Sequence, residues 1–127
     1  ASVRRYLEEG MHIGLGSDVA GGTSENLFAA MAQSIQASKL RWRLLDDTLK
    51  PLTIEEAFFM ATKGGGAFFG KVGSFEPGYE FDAVICDDSR LEHPQDLTVK
   101  QRLERIIYLG DEREVSQKFV SGRKVLK

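Results

Sequence analysis

Gly14-Leu-Gly-Ser-Asp-Val-Ala-Gly-Gly22 is the stretch on which the fold turns. It overlaps the end of Met11 to Leu15, a short, mostly apolar run that predicts a buried strand. Upstream, Val3, Tyr6 and Leu7 recur at helical spacing, with Arg4, Arg5, Glu8 and Glu9 on the other side. Gly10 supplies the helix stop. Helix, glycine, buried strand and glycine-rich loop follow the rhythm of a parallel α/β protein. Beyond the loop Gly16 to Ser24, Asn26 to Leu45 reads as a helix capped by Ser24 or Thr23. Its apolar stripe holds Leu27, Ala30, Met31, Ser34, Ile35, Ser38 and Leu45.

Thr53 followed by Glu56 is a capping box, because each side chain reaches the other's free backbone donor. That helix is expected to run to about Thr62 and to break at Gly64-Gly65-Gly66, with a short turn at Ala67 to Phe69. Pro77-Gly78 suits the centre of a type II turn. Phe81 to Cys86 reads as a strand, Asp87 to Thr98 as irregular, and Val99 to Leu109 as helical or mixed. Val115 to Val120 and Lys124 to Leu126, joined at Ser121-Gly122, form a hairpin. Residues 1–70 therefore read as α/β and 71–127 as mainly β. A lone parallel strand would leave backbone amides unpaired on both sides. The expectation is thus the last piece of an α/β domain, with an open apolar face that favours self-association into a homo-oligomer.

Among 127 residues the composition is ordinary, 42% hydrophobic and 28% charged, so one domain is the first expectation. A formal charge of -2 gives no electrostatic reason to expect nucleic acid or an acidic membrane as a partner. No apolar run approaches the roughly 18 residues of a membrane span. The one cysteine, Cys86, cannot form an internal disulfide, and with no signal-peptide pattern the expected compartment is the cytoplasm.

The glycine-rich loop fits neither phosphate-binding pattern: Val19 stands where the dinucleotide motif needs glycine, and no Gly-Lys-Ser/Thr follows. Asp18 says more. It stands directly after the expected strand, at the end of an α/β strand where active sites are built. A carboxylate there can bind a metal or take a proton from water, and flanking glycines allow close approach. Capping the loop or the next helix explains its position equally well. His12 is read as a satisfied histidine near the strand start, His93 as a loop surface residue and Cys86 as a small core residue. Trp42, between Arg41 and Arg43, reads as part of a partly exposed helix face. Phe58, Phe59, Phe68 and Phe69 read as core packing around the glycine run.

These motifs together resemble the C-terminal part of the amidohydrolase superfamily and, within it, the guanine deaminases. Gly14 to Gly22 is similar to the family's segment at the end of barrel strand eight. Leu52-Thr-Ile-Glu-Glu-Ala57 and Ala61-Thr-Lys-Gly-Gly-Gly-Ala67 resemble the helices after the barrel. Gly73-Ser-Phe-Glu-Pro-Gly-Tyr-Glu-Phe-Asp-Ala-Val84 resembles the return into a small β-domain. Ile106-Ile-Tyr-Leu-Gly-Asp-Glu-Arg113 and Val120-Ser-Gly-Arg-Lys-Val125 resemble the closing segment, and the former is the narrowest link to guanine deaminases.

The resemblance implies the last strand-helix units of a TIM-type (β/α)8 barrel in residues 1–70. It implies the C-terminal strands of a small β-sandwich in residues 71–127, incomplete as a stand-alone fold. It implies a zinc-dependent aminohydrolase of purine catabolism that converts guanine to xanthine and ammonia. In that scheme Asp18 is both metal ligand and catalytic carboxylate, and the substrate-binding residues stay unassigned. The family's His-x-His pair, its further histidines and its ring-protonating glutamate have no counterparts here. A catalytic zinc takes about three protein ligands, so the chain alone is expected to be inactive. Two alternatives stay open: another aminated heterocycle as substrate, or a non-enzymatic α/β interaction module.

Overall fold

In the computed structural model, which describes residues 2–126, three of the four α-helices among the described residues, all but the first, begin where a side-chain oxygen accepts a first-turn amide. The four are α1 (Val3–Glu8), α2 (Leu27–Leu44), α3 (Ile54–Phe59) and α4 (Val99–Leu109). The cap of α2 is Asn26, whose Oδ1 accepts from the Phe28 amide at 2.8 Å, rather than Ser24 or Thr23. Those hydroxyls stand two and three residues too early in the chain. Ser24 Oγ accepts from the Asn26 amide at 3.1 Å, and Thr23 Oγ1 accepts from Gln33 Nε2 at 2.7 Å. The Thr53–Glu56 capping box forms as read, with the Thr53 amide donating to Glu56 Oε2 at 2.8 Å and the Glu56 amide to Thr53 Oγ1 at 3.2 Å. Thr98 and Gln101 build a second box at the start of α4.

The glycine run does not break its helix. α3 passes into a π-helical turn at Met60–Gly64, and Gly65 and Gly66 keep right-handed helical angles. A 3-10 turn at Ala67–Phe69 follows, and the chain leaves the helix at Gly70, where φ is +108°. Close approach, not flexibility, explains the glycines. A Cβ on Gly64 would lie 2.6 Å from the Ile13 carbonyl oxygen, and one on Gly66 would lie 2.3 Å from that of Val72.

The sheet is small and antiparallel, in the order β1 (Ala83–Cys86), β2 (Val115–Val120), β3 (Arg123–Leu126). Ser121 and Gly122 both have positive φ, +47° and +75°, which matches the twist of a tight hairpin. Glu76 to Tyr79 closes as the expected turn, with the Tyr79 amide donating to the Glu76 carbonyl at 3.1 Å and Gly78 at φ +86°. Glu114 is buried at the entrance to β2. Its Oε2 accepts from the Asp111 amide at 2.7 Å and its Oε1 from Arg90 at 3.1 Å, tying the irregular connection to the sheet. The expected strand Met11 to Leu15 pairs with no strand among the described residues. Its apolar pattern favours extension, but a ladder requires a neighbouring strand to exchange hydrogen bonds with.

The core sits between helices. Met31, Ala32 and Ile35 of α2 meet Leu52, Ala57 of α3, Met60 and Ile107 of α4, with Val3, Leu7, Ile13 and Leu15 packed against them. Leu27 and Leu45, expected on the buried stripe of α2, are exposed at its two ends. Phe58, Phe59, Phe68 and Phe69 are exposed too, the last two at 87% and 77%, so they are not core. Phe28 packs against the core instead.

α1 is fastened to the start of α3 by Arg4. Its guanidinium donates to both Glu56 carboxylate oxygens at 2.6 Å and to the carbonyls of Lys50 and Pro51 at 2.9 Å. The two-pronged pairing with Arg4 holds the Glu56 carboxyl below the usual carboxylate range, against the opposing effect of burial. A carboxyl lowered on folding stabilises the fold above its unfolded pKa, about 4.3, and loses that contribution as pH falls through the folded value. Melting curves across pH 3 to 7 should therefore show a steeper acid loss for the wild-type chain than for Glu56→Gln. Parallel curves for the two would contradict this role of the pair.

Candidate active site

Asp18 is positioned by three features of the chain around it. Before it, the Leu15 amide donates to the Met60 carbonyl at 2.9 Å, which pins the segment to the π-turn. Gly14 lies so close to Gly65 that a Cβ on Gly14 would come within 2.9 Å of the Gly65 Cα. After it, the chain turns back sharply: the Asp18 carbonyl accepts from the Gly21 amide at 2.9 Å and also from the Gly22 amide. This turn sets Asp18 at φ +50° and Ala20 at φ +88°, both in the region that side chains disfavour. Such angles persist where the surroundings hold them, and they concentrate at functional loops.

The carboxylate of Asp18 leans over Gly21. A Cβ on Gly21 would lie 2.8 Å from Oδ2, so the glycine leaves the side chain its room. Asp18 is exposed. Its side chain accepts no hydrogen bond among the described residues, and Asn26 caps α2. The helix-cap reading of Asp18 therefore fails, because Asn26 fills that role.

No group of three or more His, Cys, Asp or Glu side chains among the described residues is arranged to hold a metal ion. One carboxylate is a ligand but not a zinc site. His12 is exposed and has no hydrogen-bond partner among the described residues. His93 is an exposed loop residue, as expected; its Nδ1 lies 3.2 Å from the Gln95 amide. Cys86 is half-buried in β1, and burial, then Asp88 and Glu114, push its thiol pKa up, the opposite of what a nucleophile needs. Trp42 lies on a partly exposed helix face, as read, with Nε1 donating to the Asp47 carbonyl at 3.0 Å.

Two surface hollows lie elsewhere. One is lined by α4 residues including Gln101, Arg105 and Tyr108, the other by Phe75, Tyr79 and Phe81. Asp18 borders neither. No helix among the described residues is long and apolar enough to cross a membrane.

The amidohydrolase family profile matches residues 1–125. The chain belongs to the amidohydrolase family. Within that family the similar proteins are guanine deaminases. The enzyme of Dictyostelium discoideum is 35% identical over 130 residues, which are 97% of this chain and 29% of that protein. The enzyme of Homo sapiens is 33% identical over 138 residues, 98% of this chain and 30% of that protein. Among solved structures, guanine deaminase from C. acetobutylicum, with guanine bound in its active site, matches this amidohydrolase chain with a TM-score of 0.92 and 47% identity. That match covers 98% of this chain and 30% of the other. The chain thus spans about 30% of the length of the relatives it matches. Its α/β organisation with a small antiparallel sheet is that of the corresponding portion of a guanine deaminase.

Proposed function

We infer that this amidohydrolase chain acts as one portion of a guanine deaminase, in which guanine and water give xanthine and ammonia. The observation that carries the reading is the 47% identity and 0.92 TM-score, over nearly the whole chain, to an enzyme with guanine in its active site. In this reading Asp18 supplies a carboxylate at the end of a barrel strand, where TIM-type barrels carry their chemistry. Residues 1–70 belong to the barrel and residues 71–127 to a small composite β-domain, in a cytoplasmic enzyme. Asp18 would then help to hold a divalent metal and would accept a proton from the attacking water, the metal supplying acidity to that water. The chain's own residues do not complete a zinc site, because no second or third donor clusters with Asp18 among the described residues. The chain alone is therefore silent.

A chimera tests this. The portion of the C. acetobutylicum enzyme that this chain matches is replaced by the chain, and release of ammonia is followed with guanine, adenine and a pterin as substrates. The chimera should hydrolyse guanine in preference to the others, and the isolated chain none of them. Turnover of guanine by the isolated chain, or a folded, zinc-loaded chimera that prefers another heterocycle, would refute the reading. Exposed Met11, Leu40, Leu44 and Leu45 also favour self-association of the isolated chain, the homo-oligomer expected from its pattern.

A further inference from the structure

The geometry points to the π-turn Met60–Gly64 and the glycines packed on it as the positioning element for Asp18, an assignment that rests on the functional reading of that carboxylate. The turn contacts the approach segment in three places. The Met60 carbonyl accepts from the Leu15 amide at 2.9 Å while also accepting from the Gly65 amide of its own turn. A carbonyl has two lone pairs, so it serves both donors. A π-turn closes on the fifth residue instead of the fourth, which widens the helix; turns of this kind recur at functional sites. The Ile13 carbonyl lies where a Cβ on Gly64 would be, 2.6 Å away. Gly14 meets Gly65 backbone to backbone, leaving 2.9 Å for a Gly14 Cβ.

The segment 13–15 has no strand partner among the described residues, so these contacts set its place. Asp18 follows Leu15 by three residues, a reach of at most about 10 Å. Of the two residues between them, Gly16 and Ser17, the second is wedged by the turn behind: a Cβ on Gly22 would lie 2.1 Å from the Ser17 carbonyl oxygen. A shift of Leu15 is therefore passed to the Asp18 carboxylate with little slack. Lys63, on the same π-turn, points elsewhere and pairs with Glu76 at 2.7 Å.

Amide hydrogen exchange and the Asp18 carboxyl 13C resonance of the 127-residue chain test the assignment. In the wild-type chain the Leu15 amide should exchange as slowly as amides of α2, though it belongs to no sheet; exchange at the rate of an open loop would overturn the proposal. Gly14→Ala and Gly64→Ala should each speed Leu15 exchange about tenfold, as loss of one hydrogen bond predicts. Both should shift the Asp18 carboxyl resonance while α4 and the sheet keep their rates. Lys63→Ala should change neither. Unchanged Leu15 and Asp18 signals in a folded Gly14→Ala or Gly64→Ala chain, or equal changes in Lys63→Ala, would overturn it. If neither glycine variant folds, the wild-type exchange rate of Leu15 decides. The readings separate: an active Asp18→Asn chimera would remove the catalytic role of Asp18 but leave the positioning contacts standing.

Discussion

Asp18→Asn should lower guanine turnover by the chimeric enzyme about 10²–10⁴-fold, the range expected when a group that handles a proton in the transition state is removed. The substitution keeps the size and shape of the side chain. Its two losses are the negative charge and the ability to accept a proton. The fold should not change, since the Asp18 side chain makes no hydrogen bond among the described residues and the turn is held by its main-chain carbonyl. The expected signature is a fall in kcat with an unaltered melting temperature. Turnover within about threefold of the parent chimera would lie well below that range and would remove Asp18 from the chemistry. A fall in activity accompanied by unfolding would mean that the carboxylate is structural.

Met60→Ala should destabilise the isolated chain by about 2–5 kcal/mol, the usual range for emptying a buried methionine site. Met60 is 1% exposed and lies between α2, α3 and α4 in the core. The surrounding core side chains are closely packed, so they relax only partly into the space left behind. Small domains hold only about 5–15 kcal/mol in total, so much of the chain's stability would go. Denaturant titration of the wild-type and variant chains measures the difference. A loss well below about 1 kcal/mol would mean that the core relaxes into the cavity, at odds with close packing around this residue. The Met60 backbone carbonyl is retained in the variant, so the contact to Leu15 should survive wherever the chain remains folded.

Local chemistry explains what was legible along the chain. The box at Thr53 and Glu56, the hairpin at Ser121 and Gly122, the turn at Pro77-Gly78 and helix α4 all depend on residues within a few positions of one another. Thr23, Ser24 and Asn26 all carry side chains suited to capping, and only the actual first turn of α2 selects Asn26. Phe58, Phe59, Phe68 and Phe69 suggest a core by residue type, yet all four rings are exposed in this chain.

The sequence by itself determined the family, the capped helices, the hairpin and the carboxylate at position 18, because motif spacing and short-range hydrogen bonding are written in consecutive residues. Tertiary structure alone decided the role of the glycine run. Nothing in Gly64-Gly65-Gly66 distinguishes a helix break from a site of close packing until Ile13 and Gly14 arrive against it from some fifty residues away. It also decided that Met11 to Leu15 forms no ladder among the described residues, since a ladder is a property of two segments' hydrogen bonds and not of one apolar run. Asp18 belongs to both accounts: its identity is in the sequence, while its exposed, left-handed placement over Gly21 comes from a turn closed through space.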